Sequence, residues 1–259
     1  MPHKDLKNSP LVEATLEIRW ALTEESVPGI KIDPHYKMLL GRFYERVMEV
    51  YPVHETLPAA TMPEAMVAHQ AQHLLRVAPS RGPVLQLGPG ILSIHEGEEY
   101  SWKEFAWRCA EAISKLVEAY PKSAEFKVEA LRLRYLDAVG FDFRRENILD
   151  FLKDKFKTTV QLPSALFQDS PIQPQPVGLS WQASFRENTL RGTISVGFAT
   201  GEKESRPALL WEIIVESRED EVPQIPRDFQ SWLQEAHSLS IDWFFKLIAG
   251  DLEKSFEGD

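Results

Sequence analysis

The sequence predicts an α+β fold in which two similar β-α-β-β-β-α units form one curved antiparallel sheet with helices on one face. One observation is a repeated strand: Leu-Glu-Ile-Arg-Trp at 16–20 returns as Leu-Arg-Leu-Arg-Tyr at 131–135, and similar elements follow each copy. Another is that strands and helices occur in runs instead of alternating strictly, which is typical of α+β proteins. We therefore expect one pseudo-symmetric domain over residues 1–259, with repeat halves at 11–121 and 126–256.

The first half opens with a strand and a helix. Residues 11–20 alternate between apolar and polar side chains, as in a half-buried antiparallel strand. Asp33 and Pro34 then predict a helix start, with Asp33 as the N-cap residue and Pro34 at the first helical position. An apolar stripe at helical spacing follows, and we expect this helix to end near Tyr51.

A meander and a second helix complete the first half. Glycines and prolines separate three extended stretches, at about 65–78, 84–87 and 91–95. Ser101, with Glu104 three residues later, has the signature of a capping box. A helix is therefore expected to begin there and to end near Tyr120.

The second half repeats this order. A strand is expected within 128–141, and Asn147 is expected to cap a short helix. The last helix is expected over about 227–256, because apolar residues recur there at helical spacing. Three strands are expected between these helices, at about 179–186, 190–198 and 208–216, with a tight turn at 187–189.

A proline-rich loop at 163–177 interrupts the symmetry between the halves. It contains four prolines with glutamine and serine between them, an extended composition that packs poorly. We interpret it as a long surface loop or, alternatively, as a docking segment for a partner protein, since loops often carry such functions.

Charge and composition disfavour several classes of function. Asp and Glu total 39 against 29 Lys and Arg, and the net charge of −10 disfavours bulk attraction to nucleic acid. No apolar run has the length of a membrane helix, and Met1–Asp5 lacks the apolar stretch of a secretory signal. We therefore expect a cytoplasmic protein without membrane contact. The single cysteine, Cys109, rules out an internal disulfide bond.

The sequence has no recognisable motif for catalysis or for metal or cofactor binding. His69 and His73 are close in sequence, but on the expected strand this spacing separates their side chains by about 13 Å, too far to share a metal. The turn at 87–90 lacks the lysine of a phosphate-binding loop, and no serine lies in a G-x-S-x-G elbow. We therefore expect no catalytic residue, no metal and no cofactor.

The polar side of the expected sheet is the candidate binding site. Alternation places the polar residues of both repeated strands opposite the helices, where Glu17 is expected to face Arg132. Arginine is well suited to the recognition of carboxylates and phosphates. The candidate binding residues are Glu13, Glu17, Arg19, Arg132, Arg134, Arg186 and Arg191, and the surface is extended by Gln86, Gln182, Ser184 and Thr193.

Several short motifs occur in a distinctive order, at 10–13, 17–20, 85–87, 92–94, 100–102 and 133–136. Together they resemble a sporadically distributed family of uncharacterised bacterial and archaeal proteins of about this length, in which asparagines are usual where this chain has His95 and Asp137. That family implies no established activity. The chain also resembles accessory proteins encoded beside CRISPR-associated protease effectors, which implies a protein-binding role in antiviral defence. The duplicated arrangement is similar to the saddle-like fold of the TATA-binding protein.

Three hypotheses for the function follow from these observations. The first is a non-enzymatic protein that binds another protein through the polar side of the sheet or through the proline-rich loop. The second is a nucleic-acid-binding module that uses the arginines of the same surface. The third is a metal-dependent enzyme acting on nucleotides or phosphoanhydrides, with Glu13 and Glu17 beside those arginines.

Overall fold

The protein combines one large antiparallel sheet with α-helices. The structure is a computed structural model that describes residues 6–24, 29–97 and 99–258, so the expectation about Met1–Asp5 lies outside the described residues. Within the described ranges, nine strands form the large sheet, two short strands pair separately, and five segments are α-helical. The predicted α+β class with an antiparallel sheet is confirmed.

The elements are numbered in chain order. The strands are β1 (Leu11–Trp20), β2 (Thr23–Glu24), β3 (Lys31–Ile32), β4 (Val53–Thr56), β5 (His73–Ala78), β6 (Arg81–Gly88), β7 (Ile91–Glu96), β8 (Val128–Gly140), β9 (Ser180–Glu187), β10 (Gly192–Lys203) and β11 (Arg206–Arg218). The helices are α1 (Tyr36–Val47), α2 (Trp102–Ala119), α3 (Ile148–Phe156), α4 (Phe229–Ile248) and α5 (Asp251–Glu257).

The two repeated strands, β1 and β8, lie side by side at the centre of the large sheet. They pair antiparallel, with Leu16 opposite Leu133 and Glu17 opposite Arg132, as the sequence predicts. The strand order is β4-β5-β6-β7-β1-β8-β11-β10-β9. Outward from the central pair, β7, β6 and β5 therefore occupy the positions that β11, β10 and β9 occupy on the other side, and β4 adds one further strand.

The hydrophobic core lies between one side of the sheet and the helices. Alternation along the central strands buries Leu16 of β1 and Leu133 of β8 against Phe105 of α2 and Leu233 of α4. A second cluster, in which Phe156 of α3 takes part, lies beneath α3, α5 and the end of α4. The opposite side of the sheet contributes no residue to either cluster, although Leu74, Ile91 and Ile214 are buried on that side.

Two helix boundaries differ from the predictions. The α-helix α1 begins at Tyr36 with His35 as its N-cap, two residues later than predicted. One carboxylate oxygen of Asp33 still accepts the backbone N–H of His35 at 3.0 Å, and the other accepts the indole N–H of buried Trp20 at 2.8 Å. The expected helix over 227–256 is two helices, because Gly250 has a φ of 112° that a continuous α-helix does not allow.

Two other caps can be compared with the predictions. Ser101 is the N-cap of α2, but its side chain makes no capping hydrogen bond. Asn147 caps α3 as predicted, and its side chain accepts the backbone N–H of Leu149 at 2.9 Å. None of the helices in the described ranges has the length and apolar character needed to cross a membrane.

Candidate functional site

The side of the sheet that faces away from the helices carries many polar side chains, with Ile91, Leu136 and Ile214 between them. Alternation along each strand brings them to this side, because their neighbours in sequence point into the core. We call this surface the polar face. On the four central strands its members are Glu13, Thr15, Glu17, Arg19, Ser93, His95, Arg132, Arg134, Glu212, Glu216 and Arg218.

Arg134 lies between two glutamates on the polar face. Its Nε atom lies 2.6 Å from a carboxylate oxygen of Glu212 on β11, and its Nη1 atom lies 3.8 Å from a carboxylate oxygen of Glu13 on β1. All three side chains are partly buried: Glu13, the most exposed of them, is 35% exposed. An ion-pair chain therefore crosses three adjacent strands, partly shielded from water.

Arg132, two residues earlier on β8, has a different environment. It lies opposite Glu17 on β1 and Glu216 on β11, as the predicted register requires. However, Glu17 pairs with Arg19 at 2.8 Å, and Glu216 pairs with Arg218 at 2.8 Å. Among the described residues, the Arg132 side chain has no hydrogen bond or ion pair, and its Nε atom is buried without a partner. The predicted Glu17–Arg132 opposition is thus present in the backbone register, without an ion pair between the two side chains.

His95 extends the chain of polar contacts onto β7. Its Nε2 atom lies 2.8 Å from the hydroxyl oxygen of Ser93, and its Nδ1 atom lies 3.2 Å from a carboxylate oxygen of Glu13. Thr15, opposite His95 in the ladder, donates its hydroxyl to the other carboxylate oxygen of Glu13 at 3.1 Å. The hydrogen bond with His95 is the main reason that the pKa of Glu13 is lowered, and the Thr15 and Arg134 contacts act in the same direction against the effect of burial.

A depression opens beside Glu212 where the polar face continues onto β9 and β10. Gly197 lies opposite Glu212 and has no side chain, which leaves a space of about 250 Å³. Arg134 and Gln182 also line this space. An ion pair at the wall of a shallow depression is suited to a charged or hydrogen-bonding group from a partner.

Two of the predicted binding residues lie apart from the central network. Arg186 is on β9 and is exposed, and it forms an ion pair with Glu221. Arg191 does not belong to a strand: it lies in the turn between β9 and β10 with a φ of 52°. The structure therefore brings together five of the seven predicted residues, namely Glu13, Glu17, Arg19, Arg132 and Arg134, and leaves Arg186 and Arg191 outside that group.

The histidines are arranged differently from the prediction. His69 lies in a turn with a φ of 56°, and only His73 belongs to a strand, at the start of β5. The partner of His73 is His54 on β4, with 2.8 Å between a ring nitrogen of each. In the described part of the chain, no group of three or more His, Cys, Asp or Glu side chains is arranged to hold a metal ion.

The proline-rich loop at 163–177 is largely exposed, as predicted. It is irregular apart from a short 3₁₀ turn at Ser164–Leu166, and Val177 is 95% exposed. The side chain of Gln175 ties it to the body of the protein by donating to the backbone carbonyl of Glu146 at 3.1 Å. An open groove lies between this loop and the end of β8, lined by Phe143 among others.

Sequence reasoning missed Ser93, His95, Glu212 and Glu216 as members of the central network. The strand alternation that identified Glu13 and Glu17 also applies to β7 and β11, so a signal was present. The sequence does not show which strands are neighbours in the sheet: Thr15 and His95, which are in contact, are 80 residues apart in the chain. Only the pairing of β1 with β7 brings His95 to Glu13.

Comparisons with protein-family models, with curated proteins and with solved structures found no match. The function therefore has to be inferred from the geometry of the polar face.

Proposed function

We propose that the protein binds another protein through the polar face. The observation that carries this proposal is the alternation of acidic and basic side chains across β1, β8 and β11. Arg134 lies between Glu13 and Glu212, and Arg132 lies between two glutamates that pair with other arginines. A surface with both signs of charge at close spacing is complementary to another mixed-charge protein surface and fixes its orientation.

The same pattern makes nucleic acid a less suitable partner. A phosphate that approached Arg132 would also approach Glu17 and Glu216, which lie opposite it on the two neighbouring strands. Binding to a polyanion depends on neutralising phosphates with an excess of positive charge, and the polar face has no such excess. The alternative of a nucleic-acid-binding module is therefore less well supported than a protein-binding function.

The resemblance to accessory proteins encoded beside CRISPR-associated protease effectors also supports a protein partner, and we propose a role in prokaryotic defence on that basis. The metal-dependent enzyme is the least supported hypothesis. It requires carboxylates grouped around a metal, whereas Glu13 and Glu17 engage His95, Arg134 and Arg19.

We further propose that the fold arose by duplication of one β-α-β-β-β-α unit. The order of strands outward from the β1–β8 pair supports this proposal, since each half places its first strand at the centre and its last strand next to it. A saddle-like sheet of the TATA-binding-protein type would then present the polar face as a single surface across both halves.

Arg132 provides the sharpest test of the binding function. Because its side chain has no ion pair or hydrogen bond among the described residues, the substitution Arg132→Gln removes a charge without breaking such an interaction in that part of the chain. The purified protein would be immobilised, and the proteins that it retains from an extract of the source cells would be identified by mass spectrometry. The affinity of each retained protein for the wild type and for the Arg132→Gln variant would then be measured. Loss of a central arginine at an interface is expected to weaken binding at least about tenfold.

The matched control is Arg227→Gln. Arg227 lies outside the large sheet and pairs with its neighbour Asp228, so its loss leaves the polar face intact. Binding that is weakened equally by both substitutions, or by neither, would contradict the proposal. Binding of a labelled oligonucleotide at low salt that depends on Arg132 would instead support the nucleic-acid alternative.

A further inference from the structure

Ser93, His95 and Glu13 have the relative geometry of a serine nucleophile, its base and the carboxylate that orients the base. Ser93 and His95 are two residues apart on β7, so their side chains lie on the same side of the sheet. The distances are 2.8 Å from the Ser93 hydroxyl oxygen to Nε2 of His95 and 3.2 Å from Nδ1 of His95 to Glu13. Both lie within the range found between nucleophile, base and orienting group in acyl-transfer enzymes.

The contacts of Glu13 determine the direction of the hydrogen bonds. An ionised carboxylate only accepts hydrogen bonds, and the contacts with His95, Thr15 and Arg134 all favour the ionised form of Glu13. The Thr15 hydroxyl donates to Glu13, so both neighbours of Nδ1 of His95 are acceptors: a carboxylate oxygen of Glu13 at 3.2 Å and the hydroxyl oxygen of Thr15 at 3.4 Å. The Nδ1 atom therefore carries a hydrogen. In the neutral ring the Nε2 atom is then an acceptor, so the Ser93 hydroxyl donates to it. This is the tautomer that a general base for Ser93 requires.

A donor for a developing oxyanion lies on the neighbouring strand. The backbone N–H groups of β7 are engaged in the ladders with β1 and β6, so such a donor must come from a side chain. Gln86 lies directly opposite Ser93, is half-buried, and among the described residues its side-chain amide has no hydrogen-bond partner. Amide side chains serve in this role in other enzymes.

We infer that Ser93, His95 and Glu13 form an acyl-transfer centre for small esters, with Gln86 as the donor to the oxyanion. Ser93 is 5% exposed and lies opposite Glu17 on β1 and Gln86 on β6, whose side chains are longer, so we expect it to accept only a narrow acyl group. This inference goes beyond the binding function and does not depend on it.

The reaction is ester hydrolysis in two steps. The Ser93 oxygen forms a bond to the ester carbonyl carbon while its proton moves to Nε2 of His95, and the carbonyl electron pair becomes an oxyanion. Collapse of this intermediate breaks the bond to the alcohol, which leaves with the proton from His95. Water then attacks the acyl-serine in the same way, releases the carboxylic acid and restores Ser93 and neutral His95.

The test is covalent labelling of the full chain with a small fluorophosphonate, which reacts with activated serines and releases fluoride. Intact-mass and peptide-mass spectrometry should show a single adduct on Ser93, and Ser93→Ala should remove it. Glu13→Gln should slow labelling at least about 100-fold, since the base loses its orienting carboxylate. The control is Ser238→Ala, which removes an exposed hydroxyl of α4 and should label at the wild-type rate.

Labelling of the wild type decides the question even if a variant fails to fold. An absence of adduct on the folded wild type, or an adduct on a different serine, would overturn the inference. Equal rates for wild type and a folded Glu13→Gln variant would overturn the role of Glu13. A second readout is the rate at which iodoacetamide alkylates the thiol of an S93C variant. This rate should be higher than in the double variant S93C/H95A, because His95 would act as the base for the thiol. Cys109 is fully buried and serves as an internal unreactive thiol. Because no partner protein is present, these results are independent of the binding experiment.

Discussion

Asp137 should destabilise the protein at neutral pH, and Asp137→Asn should remove that effect. Asp137 lies on β8, is 2% exposed, and its Oδ2 atom has no hydrogen-bond partner among the described residues. Burial raises the pKa of this carboxyl from 3.8 to about 8, because the charged form cannot be solvated there, and Lys203 offsets only part of the effect. The folded protein therefore holds Asp137 mostly protonated at pH 7.

The magnitude follows from the difference between the folded and unfolded pKa values. Below pH 3.8 both states are protonated and Asp137 has no effect on the free energy of unfolding. As the pH rises above that value, the unfolded chain gains a favourable ionisation that the folded chain lacks, so stability falls until about pH 8. At about 1.4 kcal/mol per pH unit, the loss is about 2 kcal/mol at pH 5 and about 4 kcal/mol at pH 7.

Asparagine has nearly the same shape and remains neutral, so the variant should lack this pH-dependent loss. Its buried amide adds a cost of about 1–3 kcal/mol if it finds no partner, but that cost does not change with pH. The stability of the variant relative to the wild type should therefore increase by about 2–3 kcal/mol between pH 5 and pH 7. An increase of this stability difference with pH therefore shows the effect of Asp137 ionisation, because a packing effect would not depend on pH.

The assay is urea unfolding of both proteins at several pH values between 5 and 8, with the free energy of unfolding extrapolated to water. The control is Asp169→Asn, at an exposed position of the proline-rich loop where the positive φ suits asparagine. This control should change the free energy of unfolding by at most about 0.5 kcal/mol at every pH. A stability difference between Asp137→Asn and wild type that stays constant over this range would refute the reasoning.

Two further predictions concern local structure. Asn147→Ala should lower the free energy of unfolding by about 1 kcal/mol, because it removes the side-chain cap of α3; unchanged urea unfolding would contradict this. Gly88→Ala should strongly destabilise the protein, since the added Cβ would lie 1.9 Å from the backbone oxygen of Gln70. Gly41→Ala, in an exposed and uncrowded position of α1, should instead stabilise by about 1 kcal/mol. Thermal unfolding of the two alanine variants should move in opposite directions.

Much of the fold was predictable because strand alternation and helix periodicity are local properties. The alternation in β1 and β8 correctly separated the side chains of the core from those of the polar face. The similarity of the two strands also led to the correct prediction that they pair. The short strand β4 was not predicted, since its four residues carry no clear alternation.

The errors arose where a distant contact outweighed a local signal. Asp33 precedes a proline, which favours an N-cap; one of its carboxylate oxygens accepts the backbone N–H of His35, the other accepts the buried indole N–H of Trp20, and the α-helix begins only at Tyr36. The sequence predicts that Arg191 belongs to an extended strand, but it lies in the turn of the β9–β10 hairpin. The carboxylate of Glu187 stabilises this turn by accepting the backbone N–H groups of Thr189 and Leu190. Neither partner is apparent from the residues adjacent in sequence.

Glu13 links the two proposals for the polar face. Its carboxylate contacts Arg134 on one side and His95 on the other, so a partner carboxylate that drew Arg134 away would leave Glu13 more fully available to His95. A protein bound at the depression beside Glu212 would then change the orientation and basicity of the base next to Ser93. Because coupling of this kind is reciprocal, acylation of Ser93 would in turn change the affinity for the partner. Substitutions at Arg132 and Ser93 separate the two activities, whereas a substitution at Glu13 should affect both.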